Sequence, residues 1–186
     1  MTVAVAALRT ELLFVRGMPR IVVGMGPRSR ERLAEALGRL RARGAVVLGF
    51  CGATHARLAP GSLILASSIR HGAEEIEVSG GLIAAAGKRL PAAEIGPVYT
   101  ADRIADPPEK ARLSLFAMGV DMESFHLAQE LRARRVPFLI LRCVLDTLWE
   151  DVSHRSLRFV GRAISCARRL GRAAEVLAPM LAGGEG

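Results

Sequence analysis

The chain has 186 residues, half of them hydrophobic but only 4% aromatic, and a formal net charge of +8 that comes almost wholly from arginine, since lysine occurs only at Lys88 and Lys110. That length fits one domain, residues 1–186, with a core of small and branched aliphatics. No apolar run reaches the roughly 20 residues that crossing a bilayer requires, and the opening strand lacks the basic start and long apolar stretch of a signal peptide, so a cytoplasmic protein is expected.

In chain order, residues 3–8 read as a buried first strand and 20–23 as a second, stopped by Gly24-Met25-Gly26-Pro27. Ser29 is the expected N-cap of a helix reaching about Arg43, with Leu33, Ala36, Leu37 and Leu40 on one face. Residues 45–48 form a third strand, followed by a glycine-punctuated turn, Gly49-Phe50-Cys51-Gly52. The Pro60-Gly61 turn introduces a fourth strand over 62–66. Residues 75–78 and 82–85 flank Ser79-Gly80-Gly81 and predict a hairpin, and 95–100 another strand. Asp106-Pro107-Pro108-Glu109 has cap, N1 proline and N3 acid in order for a helix start. A strand over 118–121, a helix from Glu123 and a strand from Phe138 follow. A long helix from about Ser153 carries Leu157, Val160, Ile164, Ala167, Leu170, Ala174 and Leu177 at helical spacing, and residues 183–186 are a frayed tail. Alternating strands and helices predict an α/β fold of three layers, a mixed, mostly parallel central sheet with helices on both faces.

Two acidic segments stand out, Val120-Asp121-Met122-Glu123-Ser124 and Arg142-Cys143-Val144-Leu145-Asp146. Each places an acid at a strand end, where such sheets open into their ligand crevice. Two carboxylates one strand–helix–strand unit apart suit acid/base or hydroxyl-binding chemistry on a small molecule. The plainer alternative makes Glu123 a helix N-terminal acid favoured by the macrodipole and Asp146 a loop cap.

Other classes of function are disfavoured. The arginines spread over several helices opposite their apolar stripes, with no aromatic residues between them for base stacking, so nucleic-acid binding is not expected and contact with a membrane surface has no support. The four histidines are scattered and no His/Cys cluster has metal spacing, so no metal is expected. Cys51, Cys143 and Cys166 read as reduced, buried thiols. Gly24-Met25-Gly26 lacks the third glycine of a dinucleotide fingerprint, since position 29 is serine; a tight turn against a ligand is the more economical reading.

Six short segments in one order resemble the nucleoside phosphorylase superfamily, and within it the methylthioadenosine/S-adenosylhomocysteine nucleosidase branch. They are Ala7-Leu8-Arg9-Thr10-Glu11, Val23-Gly24-Met25-Gly26, Gly49-Phe50-Cys51-Gly52-Ala53, Leu58-Ala59-Pro60-Gly61-Ser62-Leu63-Ile64, the segment around Glu123, and residues 136–146. The Asp-Met-Glu-Ser wording, with Gly96-Pro97 and Asp102-Arg103 upstream, is most similar to the hopanoid-associated members acting on adenosylhopane; futalosine hydrolases are a related group.

The resemblance implies roles. Glu11 matches the acid that activates water, Met122 and Glu123 the pair lining the ribose, and Asp146 the acid that serves N7 of a departing purine. Gly24, Gly26, Phe50, Cys51 and Gly52 would complete the substrate site, their backbone amides close to the ligand. It implies an N-ribosyl hydrolase releasing the base of a 5′-modified purine nucleoside, with no cofactor, working as a homodimer. The phosphate-gripping arginine and serine of the hexameric phosphorylases are missing from residues 47–52, which favours water as acceptor, although Arg9 and Arg28 leave a phosphorylase open. A shortened stretch between His71 and Tyr99, and no aromatic within Ala101-Asp102-Arg103-Ile104, leave open a non-catalytic nucleoside binder; Phe50, Tyr99, Phe125 and Trp149 are the candidate substitutes for stacking on the base.

Overall fold

A computed structural model describes residues 1–151 and 157–182. The start of the last helix near Ser153, His154 and the tail at 183–186 lie outside the described residues.

Eight strands form one sheet: β1 (Thr2–Ala6), β2 (Arg20–Val22), β3 (Gly44–Ala53), β4 (Leu63–His71), β5 (Glu74–Glu77), β6 (Ala93–Thr100), β7 (Gly119–Asp121) and β8 (Phe138–Asp146). Their in-line order is β2-β1-β3-β7-β6-β4-β5, and β8 bridges β3 and β4. The strands β3, β8, β4, β6 and β7 therefore close a ring, with β1–β2 and β5 as extensions. Pairing is mixed: β1–β2, β1–β3, β3–β8, β4–β6 and β6–β7 run parallel, while β3–β7, β4–β5 and β4–β8 run antiparallel. The α/β class and the mixed, mostly parallel sheet agree with the sequence.

Among the described residues five α-helices cover the sheet: α1 (Ser29–Arg39), α2 (Gly80–Arg89), α3 (Pro107–Leu113), α4 (Ser124–Ala133) and α5 (Leu157–Ala182). Helix α5 lies on β1, β3 and β8 beside α2, while α4, with α1 packed on it, lies chiefly on β4 and β6 and also touches β3, β5 and β8. Both β1 and β8 are buried along their whole length, as near-continuous apolar runs are when covered on both faces. In α5 the buried stripe comprises Cys166, Ala167, Leu170, Ala173, Ala174, Leu177 and Leu181. Val160 and Ile164, expected in that stripe, are exposed at its N-terminal end.

Three local expectations change. Residues 49–52 are not a turn; β3 runs on through them to Ala53. The hairpin over 75–85 is half present: β5 pairs antiparallel with β4, but 80–89 is α2, because Leu82, Ile83, Ala86 and Leu90 recur at helical spacing and bury one face of α2 against the core. Ser29 is the first residue of α1 and not its cap, a position held by Arg28; the Ser29 amide bonds the Gly26 carbonyl. By contrast Asp106 caps α3 as expected, its carboxylate accepting from the Glu109 amide at 2.8 Å. No helix among the described residues is long and apolar enough to cross a membrane.

Candidate active site

One cavity of about 180 Å³ opens where β3, β7 and β8 end. Glu11 comes from a 3-10 turn, Arg9–Leu12, just after β1. Phe50, Cys51 and Gly52 come from β3, Asp121 from β7, Met122 and Glu123 from the step into α4, and Leu145 and Asp146 from the end of β8. The three acids singled out in the sequence thus line one hollow. Gly24 and Gly26 flank it, and Met25 between them is the lining residue. Both take positive φ, +74° and +76°, which glycine adopts without the cost a side chain brings. The Gly26 amide donates to Glu123 Oε1 at 3.4 Å, so this turn orients an acid.

Glu11 is buried and held by backbone. Its Oε2 accepts from the Leu8 amide at 2.7 Å and its Oε1 from the Phe50 amide at 2.8 Å. Burial nonetheless pushes its carboxyl above the usual range, opposed by the Arg142 charge and those two amides. Glu123 is raised to about 7, by burial first, then by Asp121 and Glu11, with Arg142 and the Gly26 amide pulling the other way. It sits at the N-cap of α4, yet its side chain caps nothing. The cap is Asp121, whose Oδ1 accepts from the Glu123 and Ser124 amides at 3.2 Å. Glu123 thus stands at the α4 N-terminus, where the macrodipole favours an acid, but Asp121 takes the amides and leaves the Glu123 carboxyl to the cavity.

Beneath the acids lies a buried cation. Arg142, on β8, pairs with Asp121 at 2.7 Å and donates to Ser124 Oγ at 3.0 and 2.7 Å. Burial works against its charge, but Asp121, Glu123 and Glu11 outweigh burial and raise its pKa. Gly49 makes this possible: a Cβ there would lie 1.5 Å from Arg142 Nη1. The glycine looked like a turn residue in the sequence; its use is to let a guanidinium cross the strand.

Asp146 is not a loop cap. Its Oδ2 accepts from the Lys110 ammonium, brought in by α3. Burial raises the Asp146 carboxyl, and the Lys110 hydrogen bond and charge oppose that shift. Gly52 again provides the space, since a Cβ on it would stand 2.9 Å from Asp146 Oδ2 and 3.0 Å from Lys110 Cε.

The rim is apolar apart from Arg103, which pairs with Glu109 at 3.0 Å. Leu8, Met25 and Ile104 are exposed there, with Phe159 of α5 beside them. Of the aromatic candidates only Phe50 lines the cavity; Phe125 is core, Tyr99 packs against a small cluster of Ala101, Ala105, Leu113 and Val120, and Trp149 is exposed. Phe159 was not singled out, since it reads as one more residue of a long helix. Lys110 and Arg142 were missed for a better reason: an isolated basic residue on a short helix or a strand carries no periodic signal. Arg9 and Arg28 do not line the cavity. Among the described residues no group of three or more His, Cys, Asp or Glu could hold a metal ion.

No family model and no curated protein matches the chain. Solved structures do. The 5′-methylthioadenosine/S-adenosylhomocysteine nucleosidase of Helicobacter pylori, complexed with a substituted pyrrolidin-3-ol, matches with TM-score 0.82 at 17% identity over 96% of this chain and 97% of that one. Native futalosine hydrolase of Helicobacter pylori matches with TM-score 0.83 at 16% identity over 96% and 97%. The methylthioadenosine/S-adenosylhomocysteine nucleosidase of Neisseria meningitidis, in complex with methylthio-immucillin-A, gives 0.81 at 18% over 95% and 97%. The chain therefore has the fold of these nucleosidases over nearly its whole length and theirs.

Proposed function

We propose that the chain is an N-ribosyl hydrolase that releases the base from a 5′-modified purine nucleoside. The observation that carries this reading is the meeting of Glu11, Glu123 and Asp146 around one cavity. Cleaving an N-glycosidic bond builds positive charge on the sugar and negative charge on the base. Glu123 accepts from ribose hydroxyls and favours the first; Asp146 donates to N7 and relieves the second. Glu11 takes a proton from the attacking water. This is the division of labour by which two carboxyls hydrolyse O-glycosides. Phe50, Cys51, Gly52 and Met122 shape the walls, with Gly24 and Gly26 setting Met25 and Glu123.

Water rather than phosphate is the acceptor in this reading. The two backbone amides that an anion would seek, those of Leu8 and Phe50, are already taken by the Glu11 carboxylate, and a second anion beside it is repelled. The exposed apolar rim of Leu8, Met25 and Ile104 suits an apolar 5′ group, which agrees with the likeness of residues 121–124 to the adenosylhopane-acting members. The exposed Leu13, Val160 and Ile164, beside the cavity mouth, suit burial in a homodimer. Three free buried thiols agree with a cytoplasmic setting.

The test is release of free base from methylthioadenosine, S-adenosylhomocysteine, inosine, futalosine and an adenosyl lipid, each with and without phosphate. Base release independent of phosphate is expected. A rate that requires phosphate makes the chain a phosphorylase, and binding without cleavage of any member makes it a nucleoside binder.

A further inference from the structure

The only other lysine besides Lys88 is among the most deeply buried side chains of the molecule, at 1% exposure. Lys110 reaches this place because the Asp106 cap and the two prolines set the phase of α3, turning position 110 toward the cavity. Its Nζ makes three hydrogen bonds: to Asp146 Oδ2, to the Thr147 carbonyl at 3.0 Å and to the Glu150 carbonyl at 2.9 Å. Three acceptors use all three hydrogens of an ammonium. Among the described residues Asp146 Oδ1 has no hydrogen-bonding partner, and Asp146 lines the cavity. The carboxyl is thus gripped by one oxygen and offered by the other.

From this geometry, and resting on the nucleosidase reading above, we infer that Lys110 is the positioning residue of the base-side acid: it fixes Asp146 by Oδ2, aims Oδ1 at the departing base, and sets the pH at which that carboxyl carries its proton. In the step itself the C1′–N9 electron pair leaves with the base and the Asp146 proton passes to N7. The water oxygen bonds C1′, and its proton goes to Glu11. Asp146 is then a carboxylate beside Lys110, the form that the ammonium stabilises. Without that cation the buried carboxyl holds its proton more tightly and gives it up more slowly. The other charged or titratable groups near Asp146 are Glu150 and Arg162, which pair with each other at 2.8 Å, the Cys51 thiol, and Glu11, Asp121, Glu123 and Arg103, which line the same cavity. None of these replaces an ammonium in direct contact.

A purely structural role for Lys110, as a clip on the 147–150 loop, predicts different behaviour. The experiment compares wild type with Lys110→Met, which keeps the stem, Lys110→Gln, which keeps a donor without charge, and Lys110→Arg, which keeps the charge. The substrates are methylthioadenosine, whose base needs a proton, and 4-nitrophenyl β-ribofuranoside, whose nitrophenolate leaves without one. The neutral variants are expected to lose about 30-fold or more in kcat on the nucleoside, with the high-pH limb moved upward by about one unit, and to lose less than about threefold on the nitrophenyl riboside. Lys110→Arg restores the limb. Equal losses on both substrates, or an unmoved limb, overturn the inference.

A second readout needs no turnover. The carboxyl carbon of Asp146, assigned by Asp146→Asn among the five aspartates, is titrated by NMR in each variant. Its midpoint is expected to rise when the charge is removed, and a midpoint that stays put overturns the inference. If wild type cleaves no nucleoside, the functional reading fails, while this titration still decides the role of Lys110.

Discussion

Each acid in the cavity is held by a different kind of partner, and this sets what each can do. Glu11 has two backbone amides, Glu123 one long amide contact and a distant cation, and Asp146 a lysine. Glu11→Gln keeps the size and one acceptor oxygen, but leaves a side-chain amide facing one of the two backbone donors. We expect a loss of base release of at least about 100-fold, with a change in stability within about 1 kcal/mol, because a lost hydrogen bond is offset by removing a buried charge. Steady-state rates and thermal unfolding on the same preparation check both halves. Turnover within threefold of wild type removes Glu11 from the mechanism. Asp146→Asn is expected to remove base release from purine nucleosides while leaving the fold intact, because an amide keeps the shape but has no acid proton to give. Its circular dichroism and base-release assay decide this.

At the scale of elements, β3 decides most. Its residues 49–52 read as a turn, because two glycines in four positions are turn chemistry when no partner is visible. The strand continues because both glycines lie under side chains from elsewhere in the chain: Arg142 from β8 over Gly49, and Lys110 from α3 against Gly52. Nothing local distinguishes a glycine that bends a chain from one that makes room for a neighbour. The two substitutions should therefore differ in kind. At Gly49 an alanine methyl overlaps a guanidinium that is itself pinned by Asp121 and Ser124, so misfolding or a loss of about 3 kcal/mol or more is expected. At Gly52 the contacts are 2.9 and 3.0 Å, and small shifts of Lys110 and Asp146 relieve them. A stability cost of about 1–2 kcal/mol is expected there, with a much larger loss of activity. Chemical denaturation of both variants separates the cases, and equal costs would mean that Arg142 is freer to move than its partners suggest.

The same contrast shows what the sequence could tell. Most strands along the chain, the α3 cap, and Glu123 and Asp146 were legible because each is a local pattern: an apolar run, a cap, a carboxylate at a strand end; Glu11 was legible only through the family resemblance. The helical 80–89 does not read as a helix in the sequence because Gly80 and Gly81 outweigh the spacing of Leu82, Ile83 and Ala86. Lys110 and Arg142 were illegible as site residues because their roles depend on which strands and helices meet.

For the whole molecule, the consequence of gathering buried acids is a conflict between stability and activity along the pH axis. Glu11, Glu123 and Asp146 all have folded-state values raised mainly by burial. A raised acid keeps its proton in the native state at a pH where the unfolded chain has lost it, so its stabilising effect is complete below the unfolded value and is lost as pH rises through the folded one. For Glu123 that window runs from its ordinary 4.5 to about 7. Across it the native state should lose up to about 3 kcal/mol from this residue as pH rises. Glu75 and Glu150 have lowered values and act in the opposite sense, but both side chains are more than a third exposed and solvent screens them. Thermal unfolding is thus expected to show a higher midpoint near pH 5 than near pH 8, and Glu123→Gln should flatten that slope and stabilise the protein at pH 8. Activity should run the other way on the acid side, because in the proposed mechanism Glu123 accepts from ribose hydroxyls as an anion, so kcat/KM should fall as pH drops through the same window. Stability and turnover that rise together on acidification would show that Glu123 works protonated, and the ribose-side anion of this mechanism would have to be sought in Glu11 instead.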